Sequence, residues 1–464
     1  MNNLNIKMIY TIFVFVALAA FDNIIIGLFP PLFSSIAKDL NVNLSALGLV
    51  SAVNILVTSI SSIYWGYLAG RFNRKKLIII GTIFWSVSVF LTSHSSTYAQ
   101  LLIFQILTGI GLGCIASIGF SVLTDYIPHK FRGMLLSLWG MSQGFGGISG
   151  SLMASLVGTA ANWRKPFEIV SIIGFFLIVL YFFIKEPTLG ESEPELQELI
   201  KEGYNYTFNM EFSDFREIIS KRSNMFLFFQ GFFMNISTGS LIWLPTLYIS
   251  KIQQQGYSDK AAIIASGYLY ALFQIGGLTS GYFGYLGDRF QRKTYKGRAL
   301  LTSVFVFITM PLYLAMFIIP MNNLALSDNN ASSILLSILK QIVINPWMTV
   351  MFILSFLVSA SQSANTPNWL ALITDVNFPE HRGTAFSIAN MAGSLGRTFG
   401  NVGIGYLLVI VSKYAGNPNN YIITLSIFQI FLIPSAMCYI KMAKSNVQDI
   451  NKVKSVLRRR ANLT

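Results

Sequence analysis

Charged residues are scarce in this 464-residue chain: they make up 11% of it, whereas 53% is hydrophobic. A soluble protein of this length needs more charge at its surface, so the composition excludes an ordinary soluble domain. Apolar runs of roughly 20 residues recur along the whole chain, and an α-helix needs a run of that length to cross a bilayer. The sequence therefore predicts a helical membrane protein.

Cysteine and histidine are also rare, with two and three residues respectively. His94, His129 and His381 have no metal-ligand spacing, and no cysteine pair accompanies them. We therefore expect no metal site, no cofactor and no enzymatic activity. Cys114 and Cys438 both fall within apolar runs, where packing explains them.

Twelve apolar runs follow one another along the chain. They lie at about 8–30, 44–68, 76–94, 98–125, 133–158, 166–184, 225–250, 261–286, 299–320, 347–374, 384–412 and 420–440. Most of the 33 Lys and Arg residues fall at the chain ends and in the loops on one side, and the positive-inside rule places that side in the cytoplasm. We expect a multi-pass protein of the plasma membrane with both termini cytoplasmic.

The formal net charge is +14. Because these charges are spread over loops on one side, orientation in the membrane explains them, and we expect no binding of nucleic acid. The basic end of the chain, with Lys454, Arg458, Arg459 and Arg460, has two interpretations. It contacts anionic membrane lipid, or it is a solvated tail that helps to orient the chain.

Two loop sequences occur twice. GYLAGRFNRKK begins at Gly66 and GYLGDRFQRK at Gly284, while LTDYIPHKFRGMLLS begins at Leu123 and ITDVNFPEHRGTAFS at Ile373. This internal repeat predicts an all-α fold with twelve transmembrane helices in two pseudo-symmetric six-helix lobes. The predicted lobes are 1–184 and 225–441, joined by a linker at 185–224 and followed by a basic tail at 442–464. Within the linker, 191–203 predicts a short surface helix.

The repeated loops resemble the signature of the major facilitator superfamily, Gly-x-Leu-x-Asp-Arg-x-Gly-Arg-Lys/Arg, in both halves. Asp288 keeps the acidic position of that signature, whereas Gly70 replaces it in the first half. The resemblance implies a secondary transporter, usually monomeric, that works by alternating access on a solute bound between two lobes near mid-depth. An uncoupled facilitator and a transport-dead sensor or scaffold are the alternatives.

A narrower resemblance concerns the solute. The aspartate in the first helix, Trp163 and Arg164 before the sixth helix, and KEPTLGESE after it are similar to the Spinster-like branch. That branch moves lysolipids and sphingoid phosphates, which would make the solute lipid-like. Gln105 and Leu112 stand where the branch has Arg and Glu. Organic anions and drug-like amphiphiles therefore remain alternatives.

Charged residues of the repeated loops form a predicted cytoplasmic gate. Its members are Arg71, Arg74, Lys75, Asp125, Arg132, Asp288, Arg289, Arg292, Asp375 and Arg382. Because arginine can bind carboxylates and carbonyls at helix C-termini, we expect Arg71 or Arg74 to pair with Asp125, and Arg289 or Arg292 to pair with Asp375, when the gate is closed. The alternative is that these charges only fix the topology.

Two charges lie deep in predicted spans. Asp22 in the first helix is interpreted as a proton acceptor that couples transport to a proton gradient or contacts the solute, or as a structural hydrogen-bond acceptor. Arg397 in the eleventh helix binds an anionic group of the solute, pairs with Asp22, or is satisfied by backbone carbonyls.

Amide side chains complete the predicted solute site. We favour Gln362 and Asn365, in a helix that Pro367 interrupts, because a broken helix is tolerated where it faces protein or water. The remaining members are Asn54, Gln143, Gln230 and Asn235. Each of these amides is alternatively a hydrogen-bonding link between helices.

Overall fold

The computed structural model describes residues 6–42, 44–157, 163–184, 186–196, 210–211, 213–327 and 331–462. The prediction of an all-helical fold is confirmed, since the elements in these ranges are helices and turns. Helices satisfy every backbone hydrogen bond within one segment, as a lipid environment requires. Most of the surface helix predicted at 191–203 lies outside the described residues, and its described beginning, 191–196, consists mainly of turns.

The helices are numbered in chain order. The first nine are α1 Ile6–Leu40, α2 Leu44–Ala69, α3 Arg74–Ser93, α4 Tyr98–Cys114, α5 Phe120–Tyr126, α6 Arg132–Val157, α7 Lys165–Phe182, α8 Asp214–Ser220 and α9 Arg222–Ser240. The others are α10 Leu244–Gln253, α11 Asp259–Gln274, α12 Ser280–Lys293, α13 Gly297–Ile318, α14 Ala331–Ile344, α15 Pro346–Ser363, α16 Asn365–Val376, α17 Arg382–Val411, α18 Asn419–Gln429 and α19 Leu432–Asn462.

Ten helical stretches in the described ranges are long and apolar enough to cross a membrane. The predicted runs at 133–158 and 261–286 are not among these ten, although both are helical. The first corresponds to α6, whose sequence GMSQGFGGISGS is rich in Gly and Ser. The second is divided into α11 and α12 by a 3-10 turn, Ile275–Thr279.

The chain divides into two compact units. Unit 1 comprises Met1–Met225, Trp369–Met391 and Ser445–Thr464, and unit 2 comprises Phe226–Asn368 and Ala392–Lys444. Four helices, α9, α16, α17 and α19, therefore begin in one unit and end in the other. The end of α16, the start of α17 and the tail of α19 all belong to unit 1.

Glycines at equivalent repeat positions pack one helix pair in each unit. In unit 1, a Cβ at Gly146 or Gly150 of α6 would collide with carbonyl oxygens of α1. In unit 2, a Cβ at Gly396 or Gly400 of α17 would collide with carbonyl oxygens of α9. Small residues spaced four apart allow helix backbones to approach this closely in a membrane. Arg397 projects from α17 directly after one of these contacts.

Candidate functional site

A buried cluster of charged side chains joins four helix ends within unit 1. Asp125 and Asp375 lie in the last turns of α5 and α16, while Arg132 and Arg382 begin α6 and α17. Short 3-10 turns, His129–Phe131 and Pro379–His381, connect each pair of helices. The helix dipole disfavours a carboxylate at a helix C-terminus and a cation at a helix N-terminus. Pairing between these groups must therefore stabilise them.

The pairing in this cluster is crossed between the two repeat copies. Arg132 Nη1 donates to Asp375 Oδ1 at 2.8 Å, and Arg382 Nη1 lies 3.5 Å from Asp125 Oδ1. The arginine of each copy thus faces the aspartate of the other copy. Arg74, at the start of α3, donates to Asp125 Oδ2 at 2.6 Å, which confirms one of the two partners predicted for Asp125.

The linker supplies a third carboxylate to the cluster. Glu193 Oε1 accepts a hydrogen bond from Arg132 Nη2 at 2.7 Å and another from Arg382 Nη2. Its side chain is 5% exposed and each arginine side chain 1% exposed. Because both arginines are removed from water, their shared carboxylate compensates for a large desolvation cost. Glu193 therefore links α6 to α17.

Other linker groups bond to the same helix ends. Arg74 donates from Nε to Glu186 Oε1 at 2.8 Å and from Nη2 to the Pro187 carbonyl at 2.9 Å. The Gly190 N–H donates to Asp125 Oδ1 at 3.1 Å. Ser192 Oγ donates to the Thr124 carbonyl at 2.9 Å. The segment 186–193 is thus fixed by hydrogen bonds along most of its length. We call Arg74, Asp125, Arg132, Glu193, Asp375 and Arg382 the helix-end cluster.

Electrostatics favours the ionised form of the linker carboxylate. Burial alone would raise the pKa of Glu193, but Arg382 and Arg132 outweigh it and hold that pKa well below its usual value. Nearby, burial and the charge of Arg132 lower the pKa of His129 to about 4. At neutral pH Glu193 in the cluster is therefore ionised, whereas His129, 3.7 Å from Asp375 Oδ1, is uncharged.

A small cavity adjoins the helix-end cluster. Its lining includes Gly66, Arg74, Ser117, Glu380 and Gly383, and its volume of about 20 Å³ holds about one water molecule. Ser117 lies in a π-helical turn, Ile115–Gly119, and is fully buried. The Ser117 side chain is therefore shielded from reagents larger than water in this structure.

Arg71 and Lys75, two further predicted gate residues, have other side-chain contacts. Arg71 is exposed and lies over the Tyr67 ring, 4.5 Å from its centroid. Lys75 Nζ donates to the carbonyls of Phe182 and Ile184 at 2.7 and 2.8 Å, at the C-terminus of α7, where a cation complements the helix dipole.

The partner of Asp375 differs from the predicted one, and Asp288 has a partner that was not predicted. We expected Arg289 or Arg292 beside Asp375, but both are exposed residues of α12 in unit 2, and the bond to Asp375 comes from Arg132. Asp288 is bound at 2.5 Å by Arg298, which the sequence analysis missed. Both carboxylates bind arginines that are buried with them, because an unpaired buried charge is costly.

A second polar region, in unit 2, contains Arg397. Ser394, Arg397 and Asn401 share one face of α17 by helical spacing, and the Arg397 side chain is exposed. Arg397 Nη2 donates to Asn235 Oδ1 at 3.2 Å. Among the residues that the structure describes, no carboxylate forms an ion pair with Arg397. The neutral Asn235 orients this guanidinium without neutralising its charge.

Several predicted solute ligands form hydrogen bonds with neighbouring side chains. Gln230 Nε2 donates to Asn365 Oδ1 at 2.9 Å and to Ser435 Oγ at 3.1 Å, and Tyr439 OH also donates to Asn365 Oδ1 at 2.8 Å. These bonds connect α9, α16 and α19 within unit 2, as expected for links between helices.

Two further predicted amides are bonded in the same way. Tyr313 OH donates to Gln362 Oε1 in unit 2. In unit 1, Asn54 donates to the Gln105 side chain at 3.1 Å and to its carbonyl at 2.9 Å. Because these amides have partners in the protein, a solute would have to compete for them.

Asp22 and Gln143 lie within α1 and α6, but their side chains are outside the described part of the structure. Neither the proton-acceptor role of Asp22 nor its predicted pairing with Arg397 is therefore tested. Both roles stay predictions.

A multi-pass helical fold with a repeated charged loop and an arginine within a span is typical of membrane transport proteins. The family model of the Major Facilitator Superfamily matches residues 12–338. The chain belongs to that superfamily.

Curated relatives resemble parts of the chain. The protein spinster of Drosophila melanogaster is 27% identical over 164 residues, which cover 34% of this chain and 27% of spinster. The multidrug resistance protein MdtG of Salmonella paratyphi C (strain RKS4594) is 28% identical over 273 residues, covering 57% of this chain and 62% of MdtG. The matched regions thus span less than two thirds of either relative.

Solved structures resemble almost the whole chain. A bacterial homologue of the human lysosomal transporter Spinster, in an inward-facing and unoccupied conformation, has a TM-score of 0.59 at 17% identity, covering 96% of this chain and 98% of that one. The proton:xylose symporter XylE has a TM-score of 0.59 at 14% identity, with 92% and 94% covered. At these identities the likeness shows the fold alone.

Proposed function

We propose that this protein is a secondary active transporter that moves a small organic or amphipathic anion across the membrane by alternating access. In this proposal it is a monomer of twelve transmembrane helices in two six-helix lobes, 1–184 and 225–441, in the plasma membrane with both termini cytoplasmic. Its partners are the solute, membrane lipid and protons. The observation that carries the proposal is the exposed guanidinium of Arg397, which forms no ion pair with any carboxylate in the part of the chain that the structure describes.

An anionic solute follows from the chemistry of that guanidinium. An arginine within a membrane span is costly unless it faces an anion or water, and Arg397 is bonded only to a neutral amide among its described neighbours. The planar guanidinium group can donate two parallel hydrogen bonds to a carboxylate or phosphate. The side chain is therefore available to a solute that brings the missing negative charge.

The helix-end cluster is the proposed cytoplasmic gate. Its ion pairs join α5 and α6 to α16 and α17, which the sequence assigns to different repeat copies. Opening the cytoplasmic side would separate these helices and expose the charges to water. A set of buried pairs that is either fully formed or fully hydrated is suited to a two-state gate.

The kind of anion has two candidates. The match to spinster supports a lipid-like anion such as a lysolipid, whereas the similarity to a multidrug resistance protein supports drug-like amphiphiles and other organic anions. An uncoupled facilitator and a transport-dead sensor remain the alternatives to active transport.

Proton coupling by Asp22 is testable in liposomes that contain the purified protein. We expect an imposed pH gradient to drive uptake of one or more members of a panel of anionic, cationic and lysolipid solutes. Asp22→Asn should abolish that drive while solute exchange survives, since only the coupled step needs a proton acceptor. Asp39→Asn is the matched control, because Asp39 lies in the same helix but bonds to Arg164 at 2.8 Å.

Each outcome of this experiment has a defined meaning. If Asp22→Asn keeps the full response to the gradient, Asp22 is structural and the coupling proposal is wrong. If no solute of the panel is taken up or exchanged by the wild type, active transport of these classes is contradicted and the sensor alternative gains support.

A further inference from the structure

The last part of the chain is an amphipathic helix that belongs to unit 1. Helix α19 begins in unit 2, but Ser445–Thr464 groups with the unit that holds the helix-end cluster. Ile450, Val453 and Leu457 are buried on one face, whereas Asn451, Lys452, Arg458 and Arg459 are exposed. The spacing of the buried residues is that of one helical face. This tail is therefore packed against protein.

The apolar face of the tail covers the linker and the α16–α17 connection together. Val453 and Leu457 form a buried cluster with Leu196 of the linker and Phe378 of the connection. Leu457 is 0% and Leu196 is 1% exposed. Burying these apolar side chains stabilises the contact.

Charged residues fix the register of the tail. Arg460 Nη1 donates to Glu380 Oε1 at 2.7 Å, and its guanidinium lies 4.8 Å from the centroid of the Phe378 ring. Lys454 and Arg458 lie 3.8 and 3.9 Å from Glu195 Oε1. The Arg460 contact is the strongest of these, since Glu380 is almost fully buried.

The tail contacts the linker next to Glu193 and the α16–α17 connection next to Arg382. Glu195 and Leu196 lie two and three residues after Glu193, and Phe378 and Glu380 lie four and two residues before Arg382. We propose that the tail, 445–462, is a clamp that holds these segments together and so keeps Glu193 between Arg132 and Arg382. This inference rests on the proposed role of the cluster as a gate and adds an element that controls its opening.

Alkylation of a buried cysteine measures this control without a solute. In a Cys114→Ala/Cys438→Ala background, Ser117→Cys places a thiol beside the small cavity, where N-ethylmaleimide can react only after the cluster opens. We expect Arg460→Gln to raise the alkylation rate roughly tenfold, as for loss of one charge-assisted hydrogen bond. The matched control is Arg459→Gln, because Arg459 is the exposed neighbour, and its rate should stay unchanged.

A second variant and a positive control make every outcome decisive. Leu457→Ala should raise the rate as Arg460→Gln does, because it weakens the apolar contact of the same clamp. Glu193→Gln, in the cluster itself, should raise it further. If Glu193→Gln raises the rate while Arg460→Gln and Leu457→Ala do not, the clamp is wrong and the gate stands. If none of the three raises it, the gate role of the cluster fails as well.

Discussion

Replacing Arg397 with Gln is expected to lower the transport of anionic solutes about a hundredfold. Removing one partner of a desolvated charge pair costs roughly 2–5 kcal/mol, and the described surroundings of Arg397 provide only the neutral Asn235 as a hydrogen-bond partner. The measurement is the initial rate of uptake into liposomes as a function of solute concentration.

Two variants separate the charge of Arg397 from its packing. Arg397→Lys keeps the positive charge but lacks the planar guanidinium group. This variant should therefore transport anions at a reduced rate and bind the solute more weakly. Arg289→Gln removes an exposed arginine from α12 and should leave transport unchanged. Full transport of anions by Arg397→Gln would show that Arg397 does not bind the solute.

Glu193→Gln is expected to open the helix-end cluster. The amide keeps the size of the side chain but leaves Arg132 and Arg382 buried without their shared negative charge. Breaking a buried ion pair in this way costs about 3–5 kcal/mol, so alkylation of Ser117→Cys by N-ethylmaleimide should accelerate at least about a hundredfold. Transport should slow, because the gate no longer closes stably.

The control for this prediction is a neighbouring carboxylate. Glu191 is exposed and accepts hydrogen bonds only from Thr188 among its described contacts. In the Glu191→Gln variant, the Ser117→Cys thiol should therefore be alkylated at the same rate as in the protein without that substitution. Equal alkylation rates in Glu193→Gln and Glu191→Gln would mean that Glu193 does not hold the cluster closed.

The positions of the cluster followed from the sequence because the repeat marked them. Asp125 and Asp375, and likewise Arg132 and Arg382, occupy equivalent places in the two copies, and short turns fix them at helix ends. The bond between Arg74 and Asp125 was predictable for the same reason, since both residues flank connections within one half of the chain.

The crossed pairing could not be predicted from the same repeat. An internal repeat suggests that each copy completes its own contacts, and this led to the expected pairing of Asp375 with Arg289 or Arg292. The observed partner, Arg132, comes from the other copy. Which arginine is buried beside which carboxylate depends on tertiary packing, and neither spacing nor helix periodicity contains that information.

The role of the linker was missed because its composition is typical of a solvated surface. Glu, Lys and Leu at 191–203 predicted an exposed helix, yet Glu193 is buried between two arginines. One signal was available: Pro187 and Gly190 interrupt any helix directly after α7, so the carboxylates around them lie in turns close to the helix ends.

The amides show a different limit of sequence reasoning. Gln230, Asn235, Gln362 and Asn365 were predicted from their depth in the spans, and depth alone does not distinguish a solute ligand from a link between helices. The hydrogen bonds of Gln230 and Asn365 to Ser435 and Tyr439 favour the second role for this pair.

A reversible disulfide across the helix-end cluster tests alternating access most directly. A Cβ at Gly383 would lie 3.6 Å from the Ser121 Cβ, which is within the range for a disulfide. In the Cys114→Ala/Cys438→Ala background, Ser121→Cys/Gly383→Cys joins α5 to α17, and each single variant under oxidant is the control. We predict that oxidation stops transport and that reduction restores it. Transport by the fully cross-linked protein at the rate of the reduced protein would contradict a gate at this cluster.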